Sequence, residues 1–244
     1  MKVAVDIGNS RIKAGVFQRD LLLFDSECAT SKEGFHDLLK QLFDRYPDIE
    51  HGIMSSVHSE TDLFHDLLTL FCRVIRVHPG LKFPFRMGYA TPETLGTDRL
   101  ALASAAMYFH PRSNVLIIDS GTCITYDFIN QEQIYLGGAI SPGLRMRYQA
   151  LHRYTGKLPL LQPMRFPGLV GNSTEESMHS GIIKGLGYEV DGTIDAYRKE
   201  YQDLTVILTG GDALFFVKQL KNSIFAHSKF LLKGLNYLLE FNIN

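Results

Sequence analysis

The sequence predicts an α/β protein made of two similar strand-rich units in tandem. Three observations predict it. A strand, an Asp-x-Gly turn and a second strand occur at Asp6-Ile7-Gly8 and again at Asp119-Ser120-Gly121, an offset of almost half the 244 residues. Around each copy, runs with strand periodicity alternate with segments whose apolar residues recur at helical spacing. The length suits two domains of about 100–130 residues, and a fixed-offset repeat is read before any other fold signal. Pro111, Ser113 and Asn114 cluster between the copies, which sets the expected domains at 1–112 and 113–244.

The elements follow in order. Val3, Val5 and Ile7 alternate with other residues, so Lys2 to Ile7 is a strand. Asp6-Ile7-Gly8-Asn9-Ser10 breaks it with turn residues, and Ile12 to Phe17 is the second strand of the unit. Phe35, Leu38, Leu39, Leu42 and Phe43 have helical spacing, which predicts a helix over Phe35–Tyr46. His51–Val57 is a short strand, Leu63–Phe71 a helix and Val74–Val77 a strand. Pro79–Pro92 is loop with room for an edge strand, and Thr94–Phe109 is a helix. The second half starts over with strands at Val115–Ile118, Ile124–Ile129 and Ile134–Ala139, then a helix at Leu144–Leu151. A Pro-rich loop at Leu158–Val170 leads to a long helix at Thr174–Lys199, a strand at Leu204–Leu208 and a closing helix at Phe230–Phe241.

Composition excludes several classes. Apolar residues at 45% and charged residues at 21% are those of a globular chain with a sizeable core. A net charge of −1 and no Lys/Arg run longer than two leave no basic footprint, so no nucleic-acid partner is expected. No stretch approaches the ~20 apolar residues of a membrane span. The first apolar run is too short for a secretory signal, so a soluble cytoplasmic protein without membrane association is expected. Cys28, Cys72 and Cys123 are odd in number and widely spaced, unlike a disulfide framework or a zinc site. His51, His58 and His65 recur every seven residues but cross a strand, a loop and a helix, so they form no metal-binding face.

Four motifs carry chemistry. In Asp6-Ile7-Gly8-Asn9-Ser10, a glycine and small polar residues after a strand let backbone N–H groups converge as a nest for phosphate oxygens. The adjacent Asp6 suits a Mg²⁺ ion accompanying a nucleotide, directly or through water. Asp119-Ser120-Gly121-Thr122-Cys123 repeats the design with a Thr hydroxyl. Each turn alone is equally an ordinary hairpin. Two of them, each with an acidic residue and a glycine, favour a pair of hairpins that clamp a triphosphate in a cleft. Thr209-Gly210-Gly211-Asp212 follows an apolar strand; its glycines admit a flat ligand such as adenosine or make a tight strand-to-helix turn, and the local sequence leaves both open. Gly96-Thr97-Asp98-Arg99 opens a helix. Asp98 there is either a helix-start carboxylate favoured by the dipole or an acceptor for a hydroxyl proton, with Arg99 binding an anionic group.

Together these stretches resemble the type III pantothenate kinases, members of the superfamily of actin-like ATPases, sugar kinases and Hsp70-type ATPases with ribonuclease H-like domains. Ser55-Ser56-Val57, Gly137-Gly138-Ala139-Ile140-Ser141-Pro142-Gly143 and Asn172-Ser173-Thr174 join the four motifs in family order, and the resemblance covers nearly the whole chain. It implies two tandem actin-like domains with a cleft between them. It also implies ATP-dependent phosphorylation of pantothenate at its primary hydroxyl, the first step toward coenzyme A. A homodimer, Mg²⁺ and a monovalent cation, K⁺ or NH₄⁺, come with the family. By position, Asp98 would accept the hydroxyl proton. Gly96, Thr97, Asp98 and Arg99 would contact pantothenate, with Tyr89 and Thr174 completing the pocket. Asp6, Ile7, Gly8, Asn9, Ser10, Arg11, Ile12 and Lys13 would line the ATP phosphates, and Thr122 would add a contact. Asp119 would hold the monovalent cation. Ser10 and Ser120 stand where relatives often carry other small or aliphatic residues, and Leu158–Val170 has no firm match.

Phosphoryl transfer is catalysed mainly by positioning and charge stabilisation. With an ordinary carboxylate value near ~4, Asp98 is expected to be only a modest base. Two rivals share the fold: a sugar or acetate kinase or a polyphosphate phosphatase, and a nucleotide-binding regulator without turnover. Chain length argues against the first. Asp98, Arg99 and both Asp-x-Gly turns, all intact, argue against the second.

Overall fold

A computed structural model describes residues 1–217 and 219–243. The chain forms two compact units. The first holds Met1–Arg112, Ile129–Leu136 and Lys229–Asn244, and the second Ser113–Phe128 and Gly137–Ser228.

The first unit is built on a five-stranded sheet of β1 (Lys2–Ile7), β2 (Arg11–Gln18), β3 (Leu21–Ala29), β4 (His51–Ser56) and β5 (Arg73–Arg76), in the order β3-β2-β1-β4-β5. β1 runs antiparallel to β2 and parallel to β4. It is central, so Val3 to Ile7 are buried on both faces. Helices α1 (Lys32–Arg45) and α2 (Thr61–Thr69) lay Phe35, Leu39, Leu42, Phe64 and Leu68 on Val3, Val5 and Ile7. Ser31 caps α1 by accepting the Gly34 N–H at 3.0 Å. Strand period two then turns Ala4 and Asp6 to the opposite face. There α3 (Thr97–Phe109) and the closing helix α7 (Phe230–Ile243) pack. α3 is buried all round from Arg99 to Met107, as expected of a helix between other layers. Its small residues admit α7 closely: a Cβ at Gly234 would lie 2.1 Å from the Ala101 carbonyl oxygen. β3 is a strand where the sequence reading assigned none; Leu22 to Ser26 are only half-buried, which blurs its alternation.

In the second unit, β7 (Val115–Ser120), β8 (Cys123–Ile129), β9 (Ile134–Pro142), β10 (Thr205–Thr209) and β11 (Phe225–Ala226) take the order β11-β10-β7-β8-β9. β10 is parallel to β7, with Thr209 opposite Asp119. Helices α4 (Leu144–Arg153) and α5 (Thr174–Glu200) and the single turn α6 (Ala213–Phe216) close a core of Leu116, Ile118, Ile124, Tyr148, Ile183, Leu186 and Leu208. The first residues of β9 belong to the first unit, where Ile134 and Tyr135 pair in parallel with β6 (Arg86–Met87).

This division departs from the expected halves 1–112 and 113–244. The closing helix and residues 129–136 belong to the first unit. The physical reason is the apolar stripe of α7: Phe230, Leu235, Leu238 and Leu239 are buried, and Phe230 stacks on Phe109 of α3 at 5.7 Å. Periodicity marked that stripe as core but could not say which core. No helix among the described residues is long and apolar enough to cross a membrane.

Candidate functional site

In the first unit the turn after β1 is braced from β3. Gly8 N–H donates to the Arg11 carbonyl at 3.0 Å, closing the hairpin. Thr30 Oγ1 donates to the Gly8 carbonyl at 2.9 Å, and the Thr30 N–H to the Ser10 carbonyl at 3.3 Å. Asn9 and Ser10 are exposed at the tip. Asp6 is buried, and its register partner on β2 is Lys13. Ile7 and Ile12 are core residues that hold the two strands together beneath the turn. Arg11 is exposed and pairs with Glu27 at 2.9 Å.

Across the parallel ladder, Asp6 stands opposite Ser55 and Ile7 opposite Ser56. Met54 belongs to the same core as Val5, so Ser55 shares the opposite face with Asp6. Ser55 is fully buried, and its hydroxyl meets Thr97 Oγ1 at 3.1 Å. Thr97 Oγ1 also accepts from the Ser56 N–H at 3.0 Å and donates to the Ser56 carbonyl at 3.0 Å. Asp6 and the start of α3 therefore lie on one face of one sheet, at the carboxyl ends of β1 and β4, where open α/β sheets bind ligands.

Asp98 follows Thr97 in the first turn of α3. Its Oδ1 accepts the Arg99 N–H at 2.8 Å. A Cβ on Gly96 would lie 2.5 Å from that oxygen, so the carboxylate occupies the space that glycine leaves open. Burial pushes the Asp98 carboxyl above its ordinary value, against the Arg99 N–H and guanidinium, which pull it down. Desolvation thus acts toward a more basic carboxylate than the ordinary value assumed from the sequence. Arg99 is 6% exposed, and its guanidinium lies over the Tyr89 ring at 5.9 Å. Tyr89 in turn meets Tyr135 at 6.1 Å, and Phe83 stacks on Phe85. Tyr89, Gly96, Thr97, Asp98 and Arg99 thus form one cluster.

The second unit has its own convergence. Asp119 is half-buried at the end of β7. A Cβ at Gly210, which has φ +96°, would lie 2.4 Å from Asp119 Oδ1 and 2.4 Å from the Ser120 carbonyl oxygen. The Asp212 N–H donates to that carbonyl at 2.9 Å. The Gly210-Gly211-Asp212 turn therefore folds back over the end of β7, and only glycine fits at 210. Thr122 is exposed, and Gly143 packs so closely that a Cβ there would lie 2.2 Å from the Thr122 carbonyl oxygen. Arg147 fixes the Ser141-Pro142-Gly143 turn, donating to the Pro142 carbonyl at 2.9 Å, to Ser141 Oγ at 3.0 Å and to Glu189 at 2.5 Å. Asp212 is raised by burial and lowered in part by nearby Arg145. Thr174 is exposed at the start of α5, next to its cap Ser173, which accepts the Glu176 N–H at 3.2 Å.

Sequence reasoning missed Thr30, Arg145 and Arg147 as parts of these clusters, and it read Ser55 only within the Ser55-Ser56-Val57 stretch, without a role. Ser55 and Thr97 are 42 positions apart, and no local spacing links them. Among the described residues, no three His, Cys, Asp or Glu side chains group as metal ligands. What the turns offer a cation is single carboxylates, Asp6 or Asp119, beside backbone oxygens. This hard donor set suits Mg²⁺ that keeps most of its water, or a monovalent ion.

Residues 2–196 match the family described as type III pantothenate kinase. The type III pantothenate kinase of Christiangramia forsetii is 47% identical over 242 residues, covering 99% of each chain. That of Flavobacterium johnsoniae is 43% identical over 247 residues, covering 100% of this chain and 99% of its own. Among solved structures, a conserved Baf family protein from Campylobacter jejuni aligns with a TM-score of 0.61 at 20% identity, covering 98% of both chains. A ROK family glucokinase from Streptomyces griseus aligns with a TM-score of 0.52 at 13% identity, covering 99% of this chain and 98% of its own. These likenesses bear out the expected α/β, actin-like two-domain fold.

Proposed function

This chain belongs to the type III pantothenate kinase family, and from that membership we propose that it transfers the γ-phosphoryl group of ATP to the primary hydroxyl of pantothenate, the entry step to coenzyme A. The observation that carries the reading is Asp98: a carboxylate seated over Gly96, made more basic by burial, beside an arginine held on an aromatic ring.

Asp98 accepts the hydroxyl proton as bonding to phosphorus develops, and orients the hydroxyl before that. Arg99 binds the pantothenate carboxylate by charge-assisted hydrogen bonds. Tyr89 holds the Arg99 plane and walls the substrate. Gly96 contributes close backbone approach and the space for Asp98. Thr97 is left its backbone N–H for a ligand, because three bonds occupy its hydroxyl. Thr174 completes the pantothenate contacts. The turn from Asp6 to Lys13 holds ATP phosphates through backbone N–H groups and the Lys13 ammonium, and Thr122 adds a hydroxyl. Arg11 serves this role less directly, since Glu27 already pairs it.

Mg²⁺ bound at Asp6 and a K⁺ or NH₄⁺ ion at Asp119 would neutralise phosphate charge. The active species is a cytoplasmic homodimer. The test is formation of phosphopantothenate from ATP and pantothenate in KCl. Turnover is expected, and Arg99→Ala should lose far more activity on pantothenate than on its uncharged alcohol analogue. ATP binding without turnover in KCl overturns the reading.

A further inference from the structure

We propose that Thr97, acting through Ser55 and Ser56, is a positioning residue that pins the start of α3 to the end of β4 and so fixes Asp98 in register with Asp6. The inference rests on the kinase reading and deepens it. It reassigns the Thr97 side chain from ligand contact to the alignment of the proton acceptor.

The hydroxyl count comes first. A threonine hydroxyl has one proton to donate and two lone pairs to accept with. Thr97 donates to the Ser56 carbonyl, accepts from the Ser56 N–H and meets the Ser55 hydroxyl, at 3.0, 3.0 and 3.1 Å. Its capacity is full. Ser55 is fully buried, so water does not readily replace Thr97 as its partner.

The helix start has little else to hold it. Its N-cap is Gly96, which has no side chain to bond the first-turn N–H groups. The Asp98 carboxylate itself takes the Arg99 N–H. Without Thr97, that carboxylate would become a principal local anchor of the helix start. A group that must turn toward a substrate hydroxyl is a poor anchor. The Thr97 latch separates the two duties.

The latch also continues away from the sheet. Ser56 Oγ meets Thr61 Oγ1 at 2.8 Å and accepts the His58 N–H at 3.2 Å, and Thr61 Oγ1 donates to the His58 carbonyl at 2.6 Å. β4 thereby ties the start of α2 and the start of α3 to one point. Asp6 shares that point through its pairing with Ser55. The two carboxylates are aligned by a shared hydroxyl cluster and not only by the general rigidity of the sheet.

The test compares Thr97→Val, Thr97→Ser and Ser55→Ala with the unaltered protein. Thr97→Val keeps shape and removes the hydroxyl. It should lower kcat on the order of 10- to 100-fold with little change in ATP affinity, and move the acid limb of the kcat profile toward the ordinary carboxylate value as Asp98 hydrates. Thr97→Ser should restore both, and Ser55→Ala should fall between. A merely structural role would lower Tm without moving the acid limb. The proposal is overturned if Thr97→Val, or Ser55→Ala should the former not fold, keeps kcat and its acid limb unchanged. If the unaltered protein does not phosphorylate pantothenate, the kinase reading fails by itself. The latch is then decided by NMR titration of the Asp98 carboxyl in the same variants, where an unshifted titration overturns it.

Discussion

Each unit seats an aspartate against a glycine, and the two seatings differ in kind. In the first, Gly96 lies two residues before Asp98, has φ −55° and makes room for Oδ1 at the start of a helix. In the second, Gly210 reaches Asp119 only because β10 pairs with β7, and it has φ +96°. The first arrangement is local and needs space alone. The second is tertiary and needs space together with a backbone conformation that residues with a side chain rarely adopt. Both aspartates are half-buried; desolvation pushes the Asp98 carboxyl upward at a helix start, and Asp119 stands near a strand end. The proposed roles differ accordingly, a proton for Asp98 and a cation for Asp119.

The sharpest break of this comparison is to neutralise each acid in turn. Asp98→Asn should lower kcat by about 10²- to 10⁴-fold, the span of a lost general base, with ATP affinity kept. Asp119→Asn should instead abolish the preference for KCl over NaCl while leaving the acid limb of the kcat profile in place. Steady-state rates in the two salts across pH check both. Matching phenotypes from the two variants would erase the proposed division of labour.

The same contrast explains what was legible in the sequence. Gly96-Thr97-Asp98-Arg99 could be read because its parts are contiguous and open a helix. The Asp6 and Asp119 turns could be read because each follows a strand and resembles the other. The packing of α3 on β4 that sets Thr97 on Ser55, and the β10–β7 pairing that sets Gly210 on Asp119, could not, since both are decided by which apolar faces meet. α7 shows the same limit: its stripe announced burial, but only packing of Gly234 on Ala101 and Phe230 on Phe109 decides its unit. The upward push on the Asp98 carboxyl was hidden too, because desolvation belongs to the surroundings and not to the residue.

Alanine at the two glycines gives the next effect. Gly210→Ala forces a left-handed backbone on an L-residue, costing about 1–2 kcal/mol before the clash with the Ser120 carbonyl is counted. For a chain of this size that lowers Tm by roughly 2–8 °C. Gly96→Ala has an allowed φ and clashes with a side-chain oxygen that can swing away. Its Tm should change little while kcat falls on the order of 10-fold, because Asp98 is what moves. Thermal melts and rates on both variants test this, and a large Tm loss at 96 would show that its seat is as rigid as the one at 210.

The smallest effect separates stability from activity at Asp98. Burial raises this carboxyl, so the folded chain binds its proton more tightly than the unfolded chain does. Folding is therefore favoured by low pH at this group. Its contribution weakens as pH rises from the unfolded value near ~3.9 to the higher folded value, and is constant above. Asp98→Asn carries no such charge and retains an oxygen for the Arg99 N–H. The variant should melt slightly higher than the unaltered protein at neutral pH, and the gap should close as pH falls below the unfolded value. A gain in Tm at pH 7 together with a collapse of kcat is the signature of a residue kept for its chemistry at the expense of the fold.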